Sequence, residues 1–275
     1  MIKICEVYTK TSNKSEKGSP MMMIISPAKT LDFATPVATE SYSIPDYLEK
    51  SAELVDIMKA KSLRDLINMM QVSQKIAELN VERFNSWKLP FGPGNARQAL
   101  LAFKGDVYTG LDTATLSEEN FDYVQSHLRI LSGLYGLLRP LDLIQPYRLE
   151  MGLKLNSKKT NTIYQFWGEK ITDGLNTLLE EQDKPVLVNL ASNEYFKSVN
   201  SNNLKCRLIK PEFRDLKNGK YKIIQFFAKK ARGLMVRYTI DHSISKPEDL
   251  KKFNYDGYAF NSKLSHSDNW VFSRN

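Results

Sequence analysis

The sequence predicts a mixed α/β (α+β) protein that folds as a single compact domain. Apolar residues recur at helical spacing through the first half of the chain. Runs typical of strands occur near residue 22 and again after residue 185. No linker interrupts residues 22–275. We therefore expect a helix-rich first half packed on a sheet that is built from both ends of the chain.

Residues 1–21 are predicted to form a disordered extension before this domain. Residues 11–20 are polar and show no apolar period. The apolar stretch that precedes them is too short and too interrupted for a signal peptide. We expect the folded domain to begin at Met22.

Composition indicates a protein whose partners are acidic. The chain has 275 residues, of which 42% are hydrophobic, with a net charge of +8 and a pI of about 9.2. These values favour nucleic acid, nucleotides or another anionic surface. No apolar run approaches the roughly 20 residues of a membrane span, so no membrane association is expected. Two cysteines, Cys5 and Cys206, are too few for a disulfide framework, which favours the cytoplasm. We expect a monomer.

In the first half, a short buried strand at 22–26 is followed mainly by helices. Apolar spacing predicts the helices, and Gly and Pro at residues 90–94 end one of them. A capping signal at residues 115–118 begins a further helix that runs through Leu131. The other predicted helices of this half cover residues 47–59, 63–70, 72–87 and 95–103.

The second half combines one more helix, at 161–179, with strands and a basic helix. Residues 186–190 form a continuous apolar run, as a buried strand does, and the later segments alternate. Strands are predicted at 186–190, 207–213, 221–227, 258–260 and 270–272, and the basic helix at 228–239.

The run at 131–142 contains two glycines three residues apart, followed by a basic residue and a proline. Glycines at a helix end permit a left-handed turn that leaves backbone N–H groups unpaired, which suits a phosphate. This pattern predicts a helix–hairpin–helix-like element that contacts phosphates. An ordinary turn whose glycines serve packing is the alternative. The candidate phosphate-binding residues of this run are Ser132, Gly133, Tyr135, Gly136 and Arg139.

A second candidate is the basic helix. Lys229, Lys230, Arg232 and Arg237 fall on or beside one side of it, and Gly233 would permit close approach of a backbone or a ligand. The functional interpretation is a face that contacts phosphates, and the alternative is a solvated helix surface.

Polar residues at the ends of predicted strands form a third group. Ser26 and Lys29 are at the end of the first strand, and Asn189, Ser192, Asn193 and Glu194 lie at or after the end of the strand at 186–190. In sheets with parallel character, sites collect beyond the carboxyl ends of strands. The alternative interpretation of the residues after the strand at 186–190 is that they cap helices. Lys29 is the candidate catalytic residue if the protein is an enzyme.

Metal and cofactor signals are weak. The three histidines are far apart in the sequence and lack ligand spacing, and Gly-x-Gly-x-x-Gly is absent. We predict no metal and no cofactor.

Eight blocks in order resemble the YaaA family of peroxide stress resistance proteins and span nearly all of residues 22–275. The blocks are ISPAKTL (25–31), NARQA (95–99), FKGDVYTGL (103–111), LSGLYGLLRPLD (131–142), PYRLEMG (146–152), QFWG (165–168), NLASNEYF (189–196) and AKKARGLM (228–235). The resemblance implies a cytoplasmic protein that limits oxidative damage by holding down unincorporated iron. It also implies a family-specific fold with a helix–hairpin–helix-like element and a positively charged cleft that binds DNA.

Two functional hypotheses follow. The leading one is a non-catalytic protein of the peroxide stress response. It would bind duplex or distorted double-stranded DNA through phosphates, with low sequence specificity, using the hairpin, the basic helix, Lys29, Lys104 and Arg148. The rival is an enzyme acting on a nucleic acid or nucleotide, suggested by polar residues near strand ends, Lys29, Asp106, Tyr108, Asn189, Ser192 and Arg232. Direct iron sequestration is disfavoured by the few histidines and cysteines.

Overall fold

The structure is a computed structural model that describes residues 21–157, 160–180 and 182–275. Residues 1–20 of the predicted extension at 1–21 lie outside these described residues. Met21 already belongs to the first strand, one residue before the predicted start of the domain.

Helices and strands are interspersed along the described chain. The strands are β1 (Met21–Ile25), β2 (Thr30–Leu31), β3 (Arg97–Gln98), β4 (Phe103–Lys104), β5 (Leu128–Ser132), β6 (Gly136–Leu138), β7 (Leu143–Ile144), β8 (Val186–Asn189), β9 (Arg207–Lys217), β10 (Lys220–Lys222), β11 (Ala259–Phe260) and β12 (Asn269–Arg274). The α-helices are α1 (Leu48–Lys59), α2 (Leu63–Met70), α3 (Gln74–Ser86), α4 (Ala99–Ala102), α5 (Asp106–Leu111), α6 (Glu118–His127), α7 (Ile163–Trp167), α8 (Lys170–Leu179), α9 (Asn193–Phe196) and α10 (Gln225–Asp241). Short 3₁₀ helices cover Thr113–Thr115, Pro247–Lys252 and Tyr255–Gly257. None of these helices is both long and apolar enough to cross a membrane.

One eight-stranded mixed sheet organises the molecule. Its order is β11-β12-β9-β8-β1-β5-β6, and β10 pairs with β9. The five central strands, from β12 to β5, are parallel, whereas β6, β10 and β11 pair antiparallel with their neighbours. Every residue of β1, β5 and β8 is buried, which explains the apolar runs of β1 and of β8 before Asn189.

The predicted mixed α/β class is confirmed. Strands from the beginning and the last third of the chain meet in the sheet, with β1 lying directly beside β8. The middle of the chain also contributes β5 and β6, which were not expected.

The segment predicted as a helix–hairpin–helix-like element is a β-hairpin. Helix α6 ends at His127, and the next five residues form β5, which pairs with β1 on one side and β6 on the other. A short apolar run fits a strand or a buried helix equally well in sequence. The central position beside β1 decides for a strand, because pairing there buries the entire run.

Several smaller boundaries differ from the predictions. The helix expected at 161–179 is interrupted at Gly168, which has a φ of 51°. Helix α5 occupies a segment where no helix was predicted. Helix α10 begins at Gln225, inside the predicted strand at 221–227, so β10 is only three residues long.

Candidate functional site

A cleft lies beyond the carboxyl ends of β1 and β8. Ser26 follows β1 and Ser192 follows β8, and the backbone N–H of Ser192 donates to Ser26 Oγ at 2.9 Å. From β1 the next strand of the main sheet is β5 on one side, whereas from β8 it is β9 on the other side. This reversal of strand order is the place where open α/β sheets bind ligands.

One wall of the cleft depends on a close crossing of α5 and α10. A Cβ on Gly110 would lie 3.0 Å from the backbone nitrogen of Leu234, and a Cβ on Gly233 would lie 2.9 Å from that of Leu111. Both helices therefore need glycine at the crossing point. Sequence analysis predicted that a backbone or a ligand approaches Gly233 closely, and in the structure it is the backbone of α5 that does so.

The crossing brings cations from three segments to a cavity of about 270 Å³. Lys29 comes from the loop after β1, Lys104 from β4, and Lys229 and Arg232 from α10. The same cavity is lined by Ser26, Asp106, Tyr108, Ser192, Glu194 and Tyr195. Residues of the phosphate-binding and enzyme hypotheses thus meet at one place.

Carboxylates partly neutralise two of these cations. Lys29 Nζ lies 3.4 Å from Glu150 Oε1, and Lys104 Nζ lies 3.6 Å from Asp32 Oδ2. Arg148 also contacts Glu150 Oε1, at 2.9 Å, which places it next to Lys29. The other carboxylate oxygen of Glu150 is buried and has no hydrogen-bond partner among the described residues.

Arg232 is the least compensated cation of the cleft. Its side chain is partly buried, and burial lowers the pKa of its guanidinium group. Within the described parts of the chain it makes no ion pair and no side-chain hydrogen bond. Lys229, one turn earlier and exposed, has no ion pair there either. Partly buried positive charge without a partner is costly, and an anionic ligand would offset that cost.

The phenols of the cleft are neutral hydrogen-bonding groups. Tyr108 Oη donates to the carbonyl of Ser26 at 3.1 Å. Burial raises the pKa of Tyr108 and of Tyr195 well above the ordinary value of 10.0. Neither phenol is a base near neutral pH.

The predicted residues of the hairpin lie in the core instead. Ser132 and Tyr135 are fully buried, and Ser132 Oγ lies 2.7 Å from the hydroxyl of Tyr147. A Cβ on Gly133 would lie 3.0 Å from the carbonyl carbon of Leu149. Gly136, with a φ of 70°, packs against the ring of Trp167. These backbones face protein rather than solvent. They therefore fit the alternative interpretation, in which the glycines serve packing and offer no site for a phosphate.

Three predicted cations have carboxylate partners away from the cavity. Arg139 Nε lies 2.9 Å from Asp142 Oδ1, Lys230 Nζ lies 3.6 Å from Asp256 Oδ2, and Arg237 Nε lies 2.7 Å from Asp241 Oδ1. None of the three lines the cleft.

Two charged residues were missed by the sequence reasoning: Glu150 beside the cleft and Arg83 at a separate cavity. Glu150 is separated from Arg148 by one residue, a spacing that puts two side chains on one side of an extended segment and could have indicated the pair. Arg83 on α3 carries no such signal. Its pKa is lowered by burial and by the nearby charge of Arg148, and it has no ion pair in the described chain. Nowhere in the described ranges do three His, Cys, Asp or Glu side chains form a group able to hold a metal ion.

The family model for peroxide stress protein YaaA matches residues 21–264. The chain belongs to the YaaA family. The resemblance seen in the eight sequence blocks is therefore confirmed, and the matched region begins with β1. Membership assigns the chain to peroxide stress. The YaaA family name describes a stress response and names no reaction, so the chemistry has to be argued from the cleft.

Proposed function

We propose that this YaaA family member binds double-stranded DNA through its phosphates, with low sequence specificity, as its part in the peroxide stress response. The observation that carries the proposal is the convergence of Lys29, Lys104, Lys229 and Arg232 on one cleft. Arg148 extends the positive surface beyond Lys29. The net charge of +8 favours the same class of partner.

This arrangement suits backbone binding rather than base reading. Lysine and arginine side chains neutralise phosphates irrespective of sequence. Contact by the five cations would give a slope of log affinity against log salt of about −4 to −5. We expect binding to weaken steeply as salt rises and to differ little between sequences of equal length.

The test is a fluorescence anisotropy titration with a labelled blunt duplex that lacks terminal phosphates. The double variant Lys229→Gln/Arg232→Gln should lose at least about tenfold in affinity, and its salt slope should be shallower by about 1.8. The matched control, Lys205→Gln/Arg207→Gln, removes the same two residue types at the amino edge of the sheet. If parent, cleft variant and control bind equally, the cleft is not the DNA site.

An enzyme acting on a nucleic acid or nucleotide is the second candidate. It is favoured by one observation: Asp106, Tyr108 and Ser192 line the same cavity as Lys29 and Arg232. A phosphate-binding surface has no need of a carboxylate inside it, whereas proton transfer does.

Lys29→Arg separates the two candidates. Arginine keeps the charge and binds phosphate, but it does not lose a proton at working pH. Under the non-catalytic proposal, the variant retains DNA binding and protects cells from peroxide as the parent does. Retained DNA binding with lost protection would favour catalysis by Lys29, and a search for altered DNA or nucleotide should follow.

A further inference from the structure

The cavity beyond β1 and β8 is too small for a duplex. At about 270 Å³ it lies just below the roughly 300–1,000 Å³ of small-molecule pockets. A DNA duplex can lie only across the mouth of such a cavity, and a single nucleotide unit is the largest piece of nucleic acid that suits it. The position between strands of reversed order is that of a ligand pocket.

Two positive charges of this cavity have no ion-pair partner among the residues that the structure describes. Arg232 and Lys229 are i, i+3 neighbours on α10, so their side chains point to one side of the helix. Lys29 and Lys104, by contrast, lie near Glu150 and Asp32. A terminal phosphate monoester carries about −1.5 to −2 charges near neutral pH, whereas a phosphodiester inside a strand carries one. The charge of the α10 pair matches the monoester.

The cavity also contains hydrogen-bond acceptors that a bare phosphate would not use. Asp106 and Glu194 line it together with the cations. Carboxylates repel an inorganic anion but accept hydrogen bonds from hydroxyl and amino groups. A nucleotide presents a dianionic phosphate at one end and such donors on its sugar and base.

We propose that this cavity binds the phosphate monoester of one nucleotide unit, with the phosphate at Arg232 and Lys229 and the sugar or base donors at Asp106 and Glu194. The unit is either a free nucleoside monophosphate or the 5′-phosphorylated end of a DNA strand. The inference rests on the proposed function, because both use the same cleft. It differs in concerning a terminal phosphate, which an internal stretch of duplex lacks.

Calorimetric titration of the full chain tests the pocket with three probes: a nucleoside 5′-monophosphate, the parent nucleoside and inorganic phosphate. The monophosphate should bind at least about tenfold more tightly than either of the others. Arg232→Gln should weaken it by about tenfold or more, because a charge-assisted contact is lost. Lys229→Gln, at an exposed position, should weaken it without endangering the fold, and Arg207→Gln at the opposite sheet edge should leave it within twofold.

Three results would overturn the inference: no binding of the monophosphate to the folded parent at millimolar concentration, binding no tighter than that of inorganic phosphate, or equal affinity in the parent and both cleft variants. The source is then decided by comparing duplexes with and without 5′-phosphates. If the phosphorylated duplex binds more tightly, the ligand is the 5′-phosphorylated end of a strand. If the two duplexes bind equally while the monophosphate binds tightly, the ligand is a free nucleotide.

The same measurements separate this inference from the DNA-binding proposal. If the duplex without terminal phosphates binds and the monophosphate does not, the DNA-binding proposal stands and the nucleotide pocket is refuted. If the monophosphate binds and that duplex does not, the DNA-binding proposal is refuted and the nucleotide pocket stands.

Discussion

Replacing Gly233 by alanine tests whether the α5–α10 crossing holds the cleft together. The added Cβ would overlap the carbonyl oxygen of Val107 and lie 2.9 Å from the backbone nitrogen of Leu111. Ordinary contacts need about 3.5 Å or more, so the helices must separate by more than about one ångström to clear the Val107 oxygen. Overpacking of this kind costs about 1–3 kcal/mol, and a clash with backbone belongs at the upper end.

Alanine also improves helix propensity, by about 0.8–1.0 kcal/mol. The net loss should be about 2 kcal/mol, which lowers the melting temperature by about 4–8 °C. The DNA affinity of the folded variant should fall as well, because Arg232 adjoins the displaced position.

The assays are thermal melting by circular dichroism and anisotropy well below the melting temperature. Gly94→Ala is the control. An added Cβ there would have no neighbouring atom within 4 Å among the described residues, so its melting temperature should stay near that of the parent. A melting temperature for Gly233→Ala equal to or above the parent value would refute the tight crossing.

Three further outcomes are expected. Gly136→Ala should lower the melting temperature and leave the DNA affinity of the folded protein unchanged, because the new Cβ would lie 2.7 Å from the Trp167 ring at a positive φ; selective loss of DNA binding would return the hairpin to the interface. Arg139→Ala should cost about 1.5–3 kcal/mol in urea unfolding with little effect on DNA affinity, because it removes a charge-assisted hydrogen bond from the fully buried Asp142, which keeps its bonds from Ser43 and from the backbone N–H of residue 139. A weaker DNA complex at unchanged stability would contradict this. Burial lowers the pKa of His127 below its ordinary 6.5, so the unfolded chain binds more protons and stability should fall from about pH 7.5 to about pH 5.5; His127→Gln should show a smaller fall, and an equal fall would assign the effect to other groups.

Local sequence patterns were sufficient to predict those elements whose apolar residues follow the period of a helix or form the apolar run of a buried strand. The helices α1 and α2 occur at or within one residue of their predicted bounds, and the Ser62 capping box fixes the start of α2. Strand β8 likewise follows from its apolar run. The segment at 128–132 was misassigned because Leu128 and Leu131 continue the helical spacing of the preceding helix, although the chain there forms a strand.

The candidate site could be predicted only as separate parts. Lys29 and Arg232 were identified from strand-end position and helix charge, but nothing in the sequence says that they meet. Their meeting depends on the pairing of β1 with β8 and on the glycine crossing of α5 and α10. Neither contact is local in the chain.

The sequence by itself determined the mixed α/β class, the basic character, the family and most of the helices, because composition, period and motif are properties of neighbouring residues. The tertiary structure decided which glycines and cations face solvent. Gly133 and Gly136 serve packing in a buried hairpin, while Lys29, Lys104, Lys229 and Arg232 share one cleft. Burial and convergence are set by contacts between residues far apart in the chain, and those contacts exist only after the sheet has assembled.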